Sequence, residues 1–275
     1  MTASLLTTLF VAFLVAMLVL QSWLSWRHLD HIIAHRAEVP AEFAQDITLT
    51  AHQKAADYAA DKIRIGLMEG LLDVVVLLFF TLGGGLVRID HLLGNWLGSG
   101  YWRGLALIFS LTVISSLISL PFTLYRTFVI EAKYGFNKMT FKLYLLDTLK
   151  GIALGVMLGV PLLLVVFWLM EKMGSLWWLY TWLVWLAFSL GMMAIFPNFI
   201  APLFNKFTPL TDDSLRQRIE ALLARCGFTS SGLFVMDGSK RSSHGNAYFT
   251  GFGKTKRIVF FDTLIERLTP AEIEA

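Results

Sequence analysis

The chain has 275 residues, of which 56% are hydrophobic, 14% aromatic and only 16% charged, a balance that excludes a soluble domain of ordinary composition and calls for a bilayer. Its net charge of +3 comes from lysines and arginines scattered over connecting segments, which fits pairing with a membrane surface and argues against a nucleic-acid partner. The single cysteine, Cys226, excludes an internal disulfide framework and a cysteine-based zinc site.

In chain order, five segments are long and apolar enough to cross about 30 Å of hydrocarbon: residues 5–24, 65–86, 105–124, 152–170 and 176–196. The first lacks a basic leader, and its apolar stretch is too long for a signal peptide, so it reads as a retained span. Basic residues then fix an orientation. Arg27, Arg36, Lys54, Lys62 and Arg64 follow the first span, and Arg126, Lys133, Lys138, Lys142 and Lys150 follow the third. The opposite side holds only Arg88, Arg103 and Lys172. The amino terminus is therefore expected outside, with both long loops and the carboxy-terminal region in the cytoplasm, in the inner membrane if the cell is bacterial.

Within the first loop, the alanine-rich run 51–62 has the composition of a solvated helix extending the second span. His31 and His35 share a helix face, but Ile32, Ile33 and Ala34 stand between them, so no H-E-x-x-H zinc motif is formed. Glu69 and Asp73 fall in the first half of the second span, where a carboxylate needs a partner or a water-filled cavity. For Asp73, a polar cavity and a helix-to-helix hydrogen bond both remain open. In the loop after the third span, Gly135 and Asn137 set a turn between two amphipathic pieces.

Beyond the fifth span, Pro197 and Pro202 are expected to prevent a continuous helix. Residues 215–226 have apolar positions at helical spacing, with Gly227 as the cap. Residues 233–236, 247–252 and 258–261 read as strands. Gly251, Gly253, Lys254 and Thr255 resemble part of a phosphate loop, but Tyr248 stands where the Walker pattern needs its first glycine, so no nucleotide is expected. Ser242, Ser243 and His244 are adjacent, yet no nucleophile elbow supports serine hydrolysis. Finally, Thr269, Pro270 and Glu272 form a capping box that opens a new helix just before Ala275. A capped helix this short is marginal by itself, so the chain is expected to be the front part of a longer protein.

Three separated stretches, 128–138, 200–210 and 237–264, together resemble one family, the type 1 integral-membrane CAAX prenyl endopeptidases. Their most distinctive parts are Glu131, Gly135, Phe136 and Asn137, then Pro202, Asn205 and Lys206, then the run from Asp237 through His244 and Asn246 to Asp262. The resemblance implies a predominantly α-helical multi-pass membrane protein of about five transmembrane helices with a partial cytoplasmic α+β metallopeptidase domain. The membrane helical domain would occupy residues 1–196, and the first part of the peptidase domain 197–275. It also implies a zinc metalloendopeptidase acting on prenylated CAAX-type or other membrane protein substrates near their carboxy termini. By resemblance, Asn246, Ala247, Tyr248 and Phe249 form the edge strand that pairs with the substrate backbone; a purely structural strand is the alternative. The expected partners are the lipid bilayer and a peptide or protein substrate, possibly prenylated. The chain departs from the family where the chemistry lies: neither H-E-x-x-H nor the third carboxylate ligand is present. No catalytic or metal residue is therefore assigned in this chain, zinc is expected only in the full-length enzyme, and the chain alone is expected to be inactive. A noncatalytic membrane scaffold or transport protein that keeps the chamber is the rival reading.

Overall fold

A computed structural model describes residues 2–228, 230–251 and 256–274. The chain divides into two compact units, Met1–Tyr134 and Gly135–Ala275, and the elements are taken unit by unit.

The first unit opens with α1 (Ala3–Ala34), capped by the side chain of Thr2, which accepts from the Leu5 amide. Thr48 caps α2 (Leu49–Thr81) in the same way, through the Ala51 amide, so the alanine-rich run 51–62 is the first part of one long helix, as its composition predicts. The second span does not continue straight to residue 86. It breaks at Gly83 and Gly84 and bends by 53° into α3 (Gly85–Leu97). Gly84 has φ 75, a left-handed conformation that other residues rarely adopt. A side chain at Gly83 would meet the carbonyl oxygen of Phe79 at 2.7 Å. Next come α4 (Tyr101–Tyr125), a π-helical turn (Arg126–Ile130) and the short α5 (Glu131–Lys133). Polar pairs tie these helices together near their ends. Arg36 binds Asp57 through two bonds of 2.7 and 2.8 Å, Tyr58 donates to Glu131 at 2.6 Å, and Asp61 receives Lys133 and Tyr134 at 2.7 and 2.8 Å. Glu69 finds its partner in Arg126. Asp73 is exposed on α2 and makes no helix-to-helix hydrogen bond among the described residues.

In the second unit, Gly135 turns the chain with φ 82, and the Asn137 side chain accepts from the Met139 amide at 2.8 Å. Thr140 then caps α6 (Phe141–Lys172), and α7 (Trp177–Ile195) follows after a short connection. Here the proline expectation is overturned. A π-helical turn (Phe196–Ile200) carries Pro197 near its start, and the chain runs on into α8 (Ala201–Phe204), so that Gly174–Phe204 is one span-length helix. The amide of Ala201 bonds back to the Phe196 carbonyl across a wide turn, which accommodates a residue without an N–H. Among the described residues, four helices are long and apolar enough to cross a membrane, and the bent α2–α3 pair makes a fifth.

The rest of the second unit is a small α+β layer. Its elements are β1 (Phe207–Pro209), α9 (Asp213–Arg225), β2 (Leu233–Met236), β3 (Ala247–Thr250), β4 (Arg257–Phe261), α10 (Asp262–Ile265) and α11 (Pro270–Glu274). The strands lie in the order β1-β2-β4-β3, with β2 and β4 parallel and the outer pairings antiparallel. One sheet face packs Leu233 and Phe260 against Leu215 and Ile219 of α9, joined by Leu210. The strand alternation turns Arg257 and the fully buried Val259 to the other face. There the Arg257 guanidinium lies over the rings of Phe207 and Phe234 and donates to the carbonyl of Pro197.

Candidate functional site

The sheet order makes β3 an edge strand, which the resemblance required of residues 246–249. Its register sets Ala247 opposite Phe260, Tyr248 opposite Val259 and Phe249 opposite Ile258. The Phe261 amide donates to the Asn246 carbonyl at 2.9 Å, which identifies Asn246 and Phe261 as a hydrogen-bonded pair of the antiparallel ladder. Such pairs alternate, so Tyr248 and Thr250 also bond inward to β4, and the backbone N–H and C=O groups of Ala247 and Phe249 face the open edge. One outward donor is already held: the Ala247 N–H bonds to the Asn246 side-chain oxygen at 2.8 Å. An exposed row of unpaired backbone groups is a template for another strand.

The four candidate residues, 246–249, differ in their side-chain settings. Tyr248 is half-buried on the Val259 face, edge-on to Phe261, and burial raises its phenol above the ordinary tyrosine range. Phe249 is 73% exposed and touches Phe228 edge-on. Asn246 and Ala247 are exposed.

What holds this edge in place is the segment before it, and here the three stretches of the resemblance come together. Lys206 and Asp237 exchange bonds: the Lys206 amide donates to the Asp237 carboxylate at 2.7 Å, and the Asp237 amide donates to the Lys206 carbonyl at 3.2 Å. The Ser239 amide and hydroxyl bind the two oxygens of Asp262 at 2.9 and 2.5 Å. Gly238 is required because a side chain there would meet the Phe261 ring at 2.6 Å. Arg241 reaches Asp147 on α6, Asn205 and the Phe204 carbonyl at 2.8, 2.5 and 2.7 Å. The Ser243 amide donates to the Phe136 carbonyl at 3.0 Å, the His244 ring stacks on Phe136 with centroids 4.2 Å apart, and the His244 carbonyl accepts from Thr263 at 2.8 Å. Ser242, Ser243 and His244 thus act as a buttress. The Ser242 hydroxyl accepts from the His244 amide, which is not a nucleophile-and-base arrangement. Sequence reading missed Arg241, Asp147 and Asp262 because their partners lie far away along the chain.

No zinc centre fits the described residues. Among the described residues no group of three or more His, Cys, Asp or Glu side chains could hold a metal, and H-E-x-x-H does not occur in the sequence. The rings of His31 and His35 lie 4.2 Å apart, and the His35 Nδ1 is 2.8 Å from the His31 carbonyl oxygen. The phosphate-loop resemblance involves residues 252–255, which lie outside the described residues.

Comparison with known proteins agrees with this architecture. Residues 28–206 match the family model described as CAAX prenyl protease N-terminal, five membrane helices, and residues 209–275 match peptidase family M48. The chain is 50% identical over 163 residues to a CAAX prenyl protease 1 homolog of Oryza sativa, covering 59% of this chain and 38% of that protein. It is 33% identical to CAAX prenyl protease 1 of Saccharomyces cerevisiae, covering 96% of this chain and 60% of the relative. The crystal structure of S. mikatae Ste24p superposes with a TM-score of 0.83 at 34% identity, over 93% of this chain and 60% of that one. The chain thus spans about half the length of the curated relatives it matches. With its apolar helices matched to the five-helix model and its sheet to the peptidase model, the chain belongs to the CAAX prenyl proteases of peptidase family M48.

Proposed function

We propose that this chain is the membrane-embedded and substrate-holding part of a zinc metalloendopeptidase that cleaves prenylated CAAX-type or other membrane proteins near their carboxy termini. The observation that carries this reading is the open edge of β3, where Ala247 and Phe249 present backbone groups that no described residue pairs, apart from the Asn246 bond to Ala247. An extended peptide adds there as a further strand, by β-augmentation. The Asn246 amide, which holds the Ala247 N–H in the free strand, turns to the peptide main chain and releases that donor. The metal ligands are not among these residues, so the chain alone binds without hydrolysing. On this reading residues 1–196 are the membrane helical domain and 197–275 the first part of the peptidase domain, with the last membrane helix running past that boundary to Phe204 and the sheet beginning at Phe207. The distribution of basic residues supports an amino terminus outside and a peptidase layer on the cytoplasmic side.

The test is one experiment with two readouts: the purified chain in detergent micelles, with zinc and a fluorescent prenylated peptide. Saturable binding without cleavage is expected. Turnover above background would overturn the assignment of the chain as inactive, and absence of saturable binding would overturn the edge-strand role of residues 246–249.

A further inference from the structure

We propose that Arg241 is the positioning residue of the peptide-holding edge, clamping β3 to the ends of two membrane helices. This proposal rests on the reading of β3 given above.

Arg241 spends its side-chain donors on three acceptors from separate places. These are the Asp147 carboxylate on α6, the Asn205 side-chain oxygen and the Phe204 carbonyl at the end of α8. Its own carbonyl accepts from the Lys138 amide at 3.1 Å, and its amide donates to Gly238 at 3.0 Å. The pair with Asp147 is largely buried, with the two side chains 20% and 16% exposed. Only a planar guanidinium offers donors in fixed directions to three such acceptors at once; a lysine keeps the charge but loses the fork.

From Arg241 to β3 there is little slack. Ser242 bonds to Gly238, Ser243 to Phe136 and Gly135, and His244 to Ser242 and Thr263. A side chain at Gly245 would press on Leu264 at 3.1 Å. Any shift of Arg241 therefore passes into Asn246 and the open edge. A strand added to β3 needs its backbone groups in register to within a fraction of a bond length, so the clamp sets where the peptide lies relative to α6 and the end of α8.

The experiment measures distances and binding on the full chain with Cys226→Ser. Nitroxides at Leu149→Cys on α6 and Phe249→Cys on β3 report helix-to-edge geometry. Nitroxides at Glu220→Cys and Phe249→Cys report geometry within the α+β layer. In Arg241→Lys the first distribution is expected to broaden while the second stays narrow, and the unlabelled variant should bind the prenylated peptide about tenfold more weakly. Unchanged distances and unchanged affinity in Arg241→Lys would overturn the clamp. If Arg241→Lys also broadens the second distribution, Asn205→Ala, which removes one acceptor, takes its place under the same criteria. If the unsubstituted chain binds no peptide, the edge-strand role fails, and the clamp is decided by the distances alone.

Discussion

The guanidinium of Arg257 donates to the carbonyl of Pro197, sixty residues earlier in the chain. This bond joins β4 to the π-helical turn at the end of α7. Arg257 is only 7% exposed, has no carboxylate partner among the described residues, and its Nε lacks an acceptor; burial lowers its pKa from the ordinary arginine value. The charge is kept there by the Pro197 carbonyl and by the faces of Phe207 and Phe234. Arg257→Ala leaves that carbonyl without its donor and removes the packing between two rings. We expect a loss of about 2–3 kcal/mol, seen as a lower denaturant midpoint in detergent. A midpoint within error of the parent would show that the bond contributes nothing net.

Asp147 and Arg241 give a second stability prediction. Removing one member of a buried ion pair leaves the other uncompensated, at a typical cost of about 3–5 kcal/mol. Asp147→Ala is expected near the low end, roughly 3 kcal/mol, because Arg241 keeps Asn205 and the Phe204 carbonyl. Asp147→Asn, which keeps an acceptor, should cost less. Equal losses for the two variants would mean that charge plays no part.

Much of the fold was legible because its determinants are local. The capping box at Thr269 announces a helix start, and that cap is present. The spans follow from hydropathy, and the edge position of β3 followed from the family resemblance. What stayed hidden depends on distant partners or on backbone detail. Pro197 looked like a helix terminator, but a wide turn carries the helix past it to Phe204. The bend after Thr81 was not read, although Gly83, Gly84 and Gly85 mark it. The role of Arg241 stayed hidden because Asp147 lies 94 residues away. β1 has three residues and ends in Pro209, too short a run for any periodicity to register.

If β3 takes the peptide as proposed, its alternation separates binding from folding at adjacent positions. The Phe249 N–H faces the open edge, whereas that of Tyr248 belongs to the β4 ladder. Proline is tolerated where an edge strand's N–H faces outward and is destabilising where it removes a ladder hydrogen bond. Phe249→Pro is therefore expected to keep the α+β layer folded and to abolish saturable peptide binding. Tyr248→Pro should destabilise the sheet itself. Amide hydrogen exchange of Val259 and Phe261 reports the sheet, and fluorescence anisotropy reports binding. Peptide binding that survives Phe249→Pro would rule out strand addition at this edge.

The capping box at Thr269 carries a pH dependence. The Glu272 carboxylate accepts from the Thr269 amide at 2.7 Å and from its hydroxyl at 2.8 Å, and these bonds lower its pKa below the ordinary glutamate value. A carboxylate with a depressed folded pKa contributes stability above its unfolded value, and that contribution is lost as pH falls through the folded one. The α11 start should therefore be fully capped at neutral pH and loosen in the acid range below the ordinary glutamate pKa. The reporter is the Ile273 amide, which bonds to the Thr269 carbonyl at 3.0 Å. After correction for intrinsic exchange, its protection should fall on acidification in the parent and stay flat in Glu272→Gln, whose side chain does not titrate. A parallel fall in both would place the acid sensitivity elsewhere in the α+β layer.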